Sequence, residues 1–309
     1  MKTSIKYIIA SVLLSYSLSS NAQQIGYNSH FTEVMSFWNP AAIAPETEME
    51  ATAFFRQQWL GFESAPRTGF ASIAYPFLDY NMSAGAILYL DNTGPVSKTG
   101  ITANYAYKLQ EVLSDDDQLS IGLSGTYTQY RFSDADLIFN DKTDILINNS
   151  NLTTLYPSVS AGIFYTRNGR RDEDRKFWTS FSMQQIVNGG VEVLGAAAQR
   201  ENQFHFGIGA RKYGYDSYIE PYLTVNLTQP EIIDILVGAR YEVEERFWAG
   251  LGYSTVNDLS IQGGWIIPEI SGRYTSLRIG AIGNIGLSSA VGDFGPGFEI
   301  VIAYRYDLD

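Results

Sequence analysis

The sequence predicts an all-β fold, an outer-membrane antiparallel barrel of about 14 strands, and three observations carry that prediction. Apolar side chains recur at every second position through most of the chain, the period of a strand with one greasy face. The segments that show this are about 10 residues long, the length a tilted strand needs to cross a bilayer. Their apolar faces end in tyrosine, phenylalanine or tryptophan, while the opposite faces carry arginine and glutamate, the pattern of aromatic girdles around an enclosed polar lumen.

Taken in order, the first residues stand outside this fold. Lys2 and Lys6 give a basic start, "YIIASVLLSYSL" supplies an apolar core, and "SNA" ending at Ala22 offers small residues for cleavage. That run is too short to span a bilayer as a helix and reads as a secretory signal peptide over 1–22. Residues 23–49 show no clean alternation and read as a periplasmic N-terminal segment packed at or in the barrel mouth. The barrel itself occupies 50–309. No later run approaches 18 uninterrupted apolar residues, so a closed barrel is the remaining structure that satisfies its own backbone in lipid.

The strand segments fall at about 50–60, 67–76, 82–91, 98–109, 117–132, 154–166 and 175–186. They continue at about 201–212, 217–228, 233–243, 245–255, 258–267, 273–282 and 297–307. In "RFWAGLGYSTV", Phe247, Ala249, Leu251 and Tyr253 share a face against Gly250, Gly252 and Ser254. In "FHFGIGARKY", Phe204, Phe206, Ile208 and Ala210 oppose His205, Gly207, Gly209 and Arg211. The last segment sets Phe298, Ile300, Ile302, Tyr304 and Tyr306 against Glu299 and Arg305. The polar faces hold Arg56, Arg211, Glu220, Arg240, Glu242, Arg278, Glu299 and Arg305, which a lumen can pair. The longest connections, 133–153, 187–200 and 283–296, follow the fifth, seventh and thirteenth segments. All therefore fall on one side, as the long outer loops of a bacterial barrel do.

Composition narrows the function classes. With no cysteine, disulfides, cysteine zinc sites, thiol catalysis and a lipoprotein anchor are excluded. The chain has 21 Lys+Arg against 33 Asp+Glu; Lys2 and Lys6 leave with the signal, so the balance becomes more acidic. That argues against nucleic acid as a partner. Two histidines, His30 and His205, stand far apart, and there is no serine elbow. Asp115, Asp116 and Asp117 lack the ligand spacing of a calcium loop and read as a solvated turn. The glycine pairs lie within strands, where they allow curvature or close approach of a large neighbour. Nothing calls for a catalytic residue, a metal or a cofactor. One loop, "DADLIFNDKTDILINNSNLTT", carries Leu137, Ile138, Phe139, Ile145, Leu146 and Ile147 where an exposed loop is expected. These residues either fold back over the lumen or form a patch that docks a partner.

A further cluster is Asn39-Pro40-Ala41 followed by "FFRQQWLGFESAPRTGFASIAYP", with Arg56, Gln58 and Trp59 and then Ala65, Pro66 and Thr68. This run strongly resembles the start of the PorP/SprF family, outer-membrane proteins of the Bacteroidetes type IX secretion and gliding system. Asp91 with Gly94, "YAYKL" at 105–109, Glu220-Pro221 and "FEIVIAYRY" at 298–306 extend the likeness. The resemblance implies a non-enzymatic barrel in the outer-membrane lipid that aids secretion or surface anchoring of exported proteins. Its partners would be proteins carrying a type IX C-terminal signal domain and other components of that system. Arg56, Gln58 and Trp59 would form a polar anchor at the barrel rim, with the guanidinium on a carboxylate or carbonyls. Two other readings of the strands stand beside this one: a channel for a small solute, including hydrophobic ones, and a secreted β-sandwich adhesin.

Overall fold

The computed structural model describes residues 33–62, 64–133, 151–167, 176–188, 191–193, 196–198, 202–228, 232–244, 246–255, 258–287 and 295–308. Among these residues fourteen antiparallel strands close into one barrel. The first seven are β1 (Glu48–Gln57), β2 (Arg67–Phe77), β3 (Met82–Thr93), β4 (Val96–Gln110), β5 (Asp117–Ser133), β6 (Asn151–Arg167) and β7 (Lys176–Asn188). A small separate hairpin, β8 (Val191–Val193) with β9 (Ala196–Ala198), lies in the connection that follows. The barrel resumes with β10 (Gln203–Tyr213), β11 (Ser217–Thr228), β12 (Ile232–Val243), β13 (Phe247–Ser254), β14 (Asp258–Pro268), β15 (Thr275–Gly286) and β16 (Gly297–Asp307).

Each barrel strand pairs with the next along the chain, and β1 closes on β16 from Glu48 opposite Asp307 to Gln57 opposite Phe298. Closure removes the unpaired edge that an open sheet would leave in hydrocarbon. The alternation sorts the side chains as the period requires. On β13, Phe247, Leu251 and Tyr253 are exposed while Trp248 and Ser254 are buried. On β16, Ile300, Ile302 and Tyr306 face out and Glu299, Val301 and Ala303 face in. Two layers packed face to face would instead bury the apolar set, so the sandwich reading is excluded by this geometry.

The strand ends depart from the sequence reading where local chemistry intervenes. β1 stops at Gln57 because Gln58 N–H turns to the Pro66 carbonyl (3.1 Å) and Trp59 adopts a positive φ of 51°. β15 runs four residues further than predicted, pairing out to Gly286 opposite Asp258. The turn before β5 is not simply solvated. Asp117 is buried and its carboxylate accepts from the Val112, Leu113 and Ser114 amides and from the Tyr165 hydroxyl.

Ile302 sits midway along β16 and is 43% exposed on the outer face. Replacing it with arginine is expected to destabilise the folded barrel by roughly 2–4 kcal/mol in lipid vesicles, read as a lowered urea midpoint. An unchanged midpoint would mean that this face does not meet hydrocarbon.

Candidate functional site in the barrel lumen

Residues 33–46 lie inside the barrel and occupy part of its lumen. Met35–Trp38 form one helical turn and Pro40–Ala42 a 3-10 turn. Proline suits the first position of that turn, where its missing N–H costs nothing. The Asn39 side chain caps the turn, its Oδ1 accepting from Ala41 N–H at 2.9 Å. Its Nδ2 donates across the lumen to the Ile163 carbonyl (2.8 Å), Ser180 Oγ (2.8 Å) and the Phe181 carbonyl (3.3 Å). Two strands make room for this contact by lacking a side chain. A Cβ on Gly162 would stand 2.0 Å from Asn39 Oδ1, and one on Gly122 would stand 2.2 Å from Ala41 N. The Trp38 carbonyl accepts from Ser182 Oγ (2.6 Å) and Gln184 Nε2 (2.8 Å). Apolar contacts seat the rest of the segment. Trp38, Ala41 and Ala42 pack with Phe164, Trp178 and Tyr222, Val34 packs with Phe54 and Ile87, and Phe37 stacks on Phe70 at 5.3 Å.

The opposite wall is ionic. Glu33 reaches Arg240 (2.5 Å), Arg305 (3.3 Å) and Arg278 (3.4 Å). Glu242 also pairs with Arg240 and, at 2.6 Å, with Arg278. The Trp248 ring lies 4.8 Å from both the Arg240 and Arg278 guanidiniums, a doubled cation–π contact. It is seated on Gly264 and Gly280, where any Cβ would meet the ring within 2.4 Å. Nearby, Arg305 Nε bonds Glu50 (2.8 Å), and Glu220 accepts from both Arg211 (2.9 Å) and Trp178 Nε1 (2.7 Å). His205 is buried, with Nδ1 2.8 Å from Asn226 Oδ1 and its ring against Trp38.

The residues that carry the family resemblance fall into two places. Asn39, Pro40 and Ala41 are fully buried in the lumen. Arg56, Ala65, Pro66 and Thr68 gather at the rim where β1 and β2 meet. Arg56, 1% exposed, pairs with Glu299 at 3.3 Å, and Glu299 also accepts from Asn284. Thr68 donates to Asp91 (2.9 Å), which in turn pairs with Lys98 (3.0 Å). Gln58 and Trp59 are half-buried in the following loop, which is tied to the connection entering the neighbouring β16 by Leu60 N–H on the Pro296 carbonyl (2.9 Å). Leu137, Ile138, Phe139, Ile145, Leu146 and Ile147 lie outside the described residues, as do residues 1–32 and Glu63. Sequence reasoning missed Glu33 as the centre of the ionic wall. The available signal was its position as the one charge in "FTEVMSFWNPAAIA", set against arginines that face inward from three strands.

Burial works against the Glu33 carboxylate, but Arg278, Arg240 and Arg305 outweigh it and hold the group well below its ordinary range. An acid of this kind contributes stability above its unfolded value and loses it as the pH falls through the folded one. Retention of the luminal segment is therefore expected to hold from neutral pH to about 4.5 and to weaken under stronger acid, measured by protease access to residues 23–46. Glu33→Ala should weaken it at neutral pH by roughly 3–5 kcal/mol, because the buried Arg240 and Arg278 and the half-buried Arg305 lose their shared partner. Asn39→Ala should cost about 1–3 kcal/mol by stranding buried groups and raise single-channel current in planar bilayers. Gly162→Val should raise that current as well.

Comparison with known proteins agrees with this architecture. The family described as "Type IX secretion system membrane protein PorP/SprF" matches residues 20–304. No curated protein matches the chain at a significant level. Among solved structures, the TodX deltaS2S3 mutant monoaromatic hydrocarbon channel superposes with a TM-score of 0.56 at 9% identity, covering 95% of this chain and 98% of that one. The CymD monoaromatic hydrocarbon channel superposes with a TM-score of 0.52 at 11% identity, covering 92% and 95%. At such identities the likeness speaks for the fold. A closed barrel with its oily face outward, matched by the family over nearly its whole length, leads to one assignment: the chain belongs to the PorP/SprF family of type IX secretion system membrane proteins and resides in the outer membrane.

Proposed function

We propose that this protein is a docking barrel rather than a conduit: it aids secretion, or holds at the cell surface, exported proteins that carry a type IX C-terminal signal domain. It acts within the secretion and gliding system after removal of a signal peptide over 1–22. The observation that carries this reading is the occupied lumen. Residues 33–46 bond to β6 and β7 on one wall and to arginines of β12, β15 and β16 on the other. A path through such a barrel would require separating buried ion pairs, which is costly.

The rim supplies the complementary support. Arg56 with Glu299, and Thr68 with Asp91 and Lys98, brace the loop after β1. On that braced loop Leu60 and Phe62 stand 47% and 52% exposed. Exposed apolar groups on a loop at the end of the barrel that bears the long connections suit a protein partner. The connection after β5, with Leu137, Ile138, Phe139, Ile145, Leu146 and Ile147, extends this docking surface in our reading. Other components of the type IX system are the further partners that membership implies.

Deleting residues 136–148, or replacing Leu60 and Phe62 with serine, is expected to release the exported partner from the cell surface while the barrel still assembles. Immunoblots of surface and medium fractions read the outcome, and unchanged attachment in both variants would sink the docking role. Uptake assays in liposomes separate the alternative, a channel for a small solute, which has the likeness to hydrocarbon channels behind it. Solute flux through wild-type protein would favour that channel.

A further inference from the structure

A second polar site lies in the lumen, beside the N-terminal segment and toward the end of the barrel that bears the long connections. It begins with an irregularity in β7. Val187 pairs with Val159 and Met183 with Ala161, so Gln184, Gln185 and Ile186 together face Ser160. A bulge of this kind re-aims side chains, and here both glutamines turn inward. Gln184 is consumed by the luminal segment, donating to the Phe37 and Trp38 carbonyls. Gln185 is not. It holds a positive φ of 61°, its side chain is 3% exposed, and neither its Oε1 nor its Nε2 has a hydrogen-bond partner among the described residues. A strained backbone that delivers an unsatisfied amide into a cavity points to a ligand, because buried amides are otherwise paired.

The cavity around Gln185 is lined with neutral donors and acceptors. Thr102 on β4, Ser124 and Thr128 on β5, and Ser158 and Ser160 on β6 contribute hydroxyls. Phe37 and Tyr89, with ring centroids 5.6 Å apart, supply apolar faces on one side. The cation in the lining, Lys98, is matched by Asp91 at 3.0 Å, so the wall offers no net charge to an anion. Hydroxyls can each donate and accept, the amide offers one of each side by side, and aromatic faces accept the C–H side of a sugar ring. A peptide is the poorer fit. The closed barrel leaves no free strand edge for backbone pairing, the usual basis of extended-peptide capture. We infer that this cavity binds a neutral saccharide, with Gln185 as its polar anchor. The site is independent of the docking role.

The test uses the full chain in a detergent without sugar headgroups. Saturation-transfer NMR and tryptophan fluorescence would follow glucose, N-acetylglucosamine, lactose, sucrose, maltose and maltotriose, with Gly-Ser-Gly-Ser as the peptide probe. At least one saccharide is expected to bind saturably, with its affinity reduced about tenfold or more in Gln185→Leu. Thr128→Val, which alters the facing wall and leaves the bulge intact, is expected to weaken binding several-fold and serves if Gln185→Leu does not fold. Heat-modifiable migration on gels reports folding of each variant. Absence of saturable saccharide binding, saccharide binding unchanged in the folded variants, or binding of the peptide alone would each overturn the inference.

Discussion

Hydrocarbon offers a peptide group no hydrogen-bond partner, and that constraint governs everything else in this molecule. It requires the sheet to close, so the first and last strands must meet. Closure divides the side chains into an outer set that must be apolar and an inner set that water and lipid do not reach freely. The period of two then does the sorting without further instruction. Trp248 and Leu251, three positions apart, end up on opposite sides of the wall, one under two guanidiniums and the other exposed on the outer face.

The inner set creates its own difficulty. Arg240, Arg278 and Arg305 converge from three strands, and buried charges of one sign repel and resist desolvation. Glu242 offsets part of this from the wall itself. Glu33, delivered by a different part of the chain, completes the compensation. The N-terminal segment is thus an electrostatic component of the barrel as well as a filler of its volume. Its other end depends on absence of bulk: Gly122 and Gly162 leave the space that Asn39 and Ala41 enter. One wall recognises the segment by charge, the other by shape and hydrogen bonds.

The strand pattern was open to reading because it depends on local alternation, and barrel geometry amplifies it fourteen times. The charged residues of the lumen could be named for the same reason, since inward position follows from parity. Their partners could not. Pairing of Arg56 with Glu299 depends on closure between the two ends of the barrel, and pairing of Glu33 with three arginines depends on where a segment without periodicity comes to rest. Asn39, Pro40 and Ala41 were recognisable as a family signature in a segment placed at or in the barrel mouth, yet their contacts with β6 and β7 follow only from the closed barrel. The bulge at Gln185 was hidden for a related reason: "SMQQI" reads as ordinary strand, and only the register across β6 reveals the surplus residues.

The seam between β1 and β16 has a bearing on biogenesis. Arg56 with Glu299 and Glu50 with Arg305 bridge it, and Glu33 reaches Arg305 from just upstream of β1. The first strand can therefore complete its pairing only once the last is in place beside it. The ionic latch that holds the inner segment is then complete only in a polypeptide whose final strand has been threaded into place, so a chain truncated before β16 would lack both the seam and part of the latch.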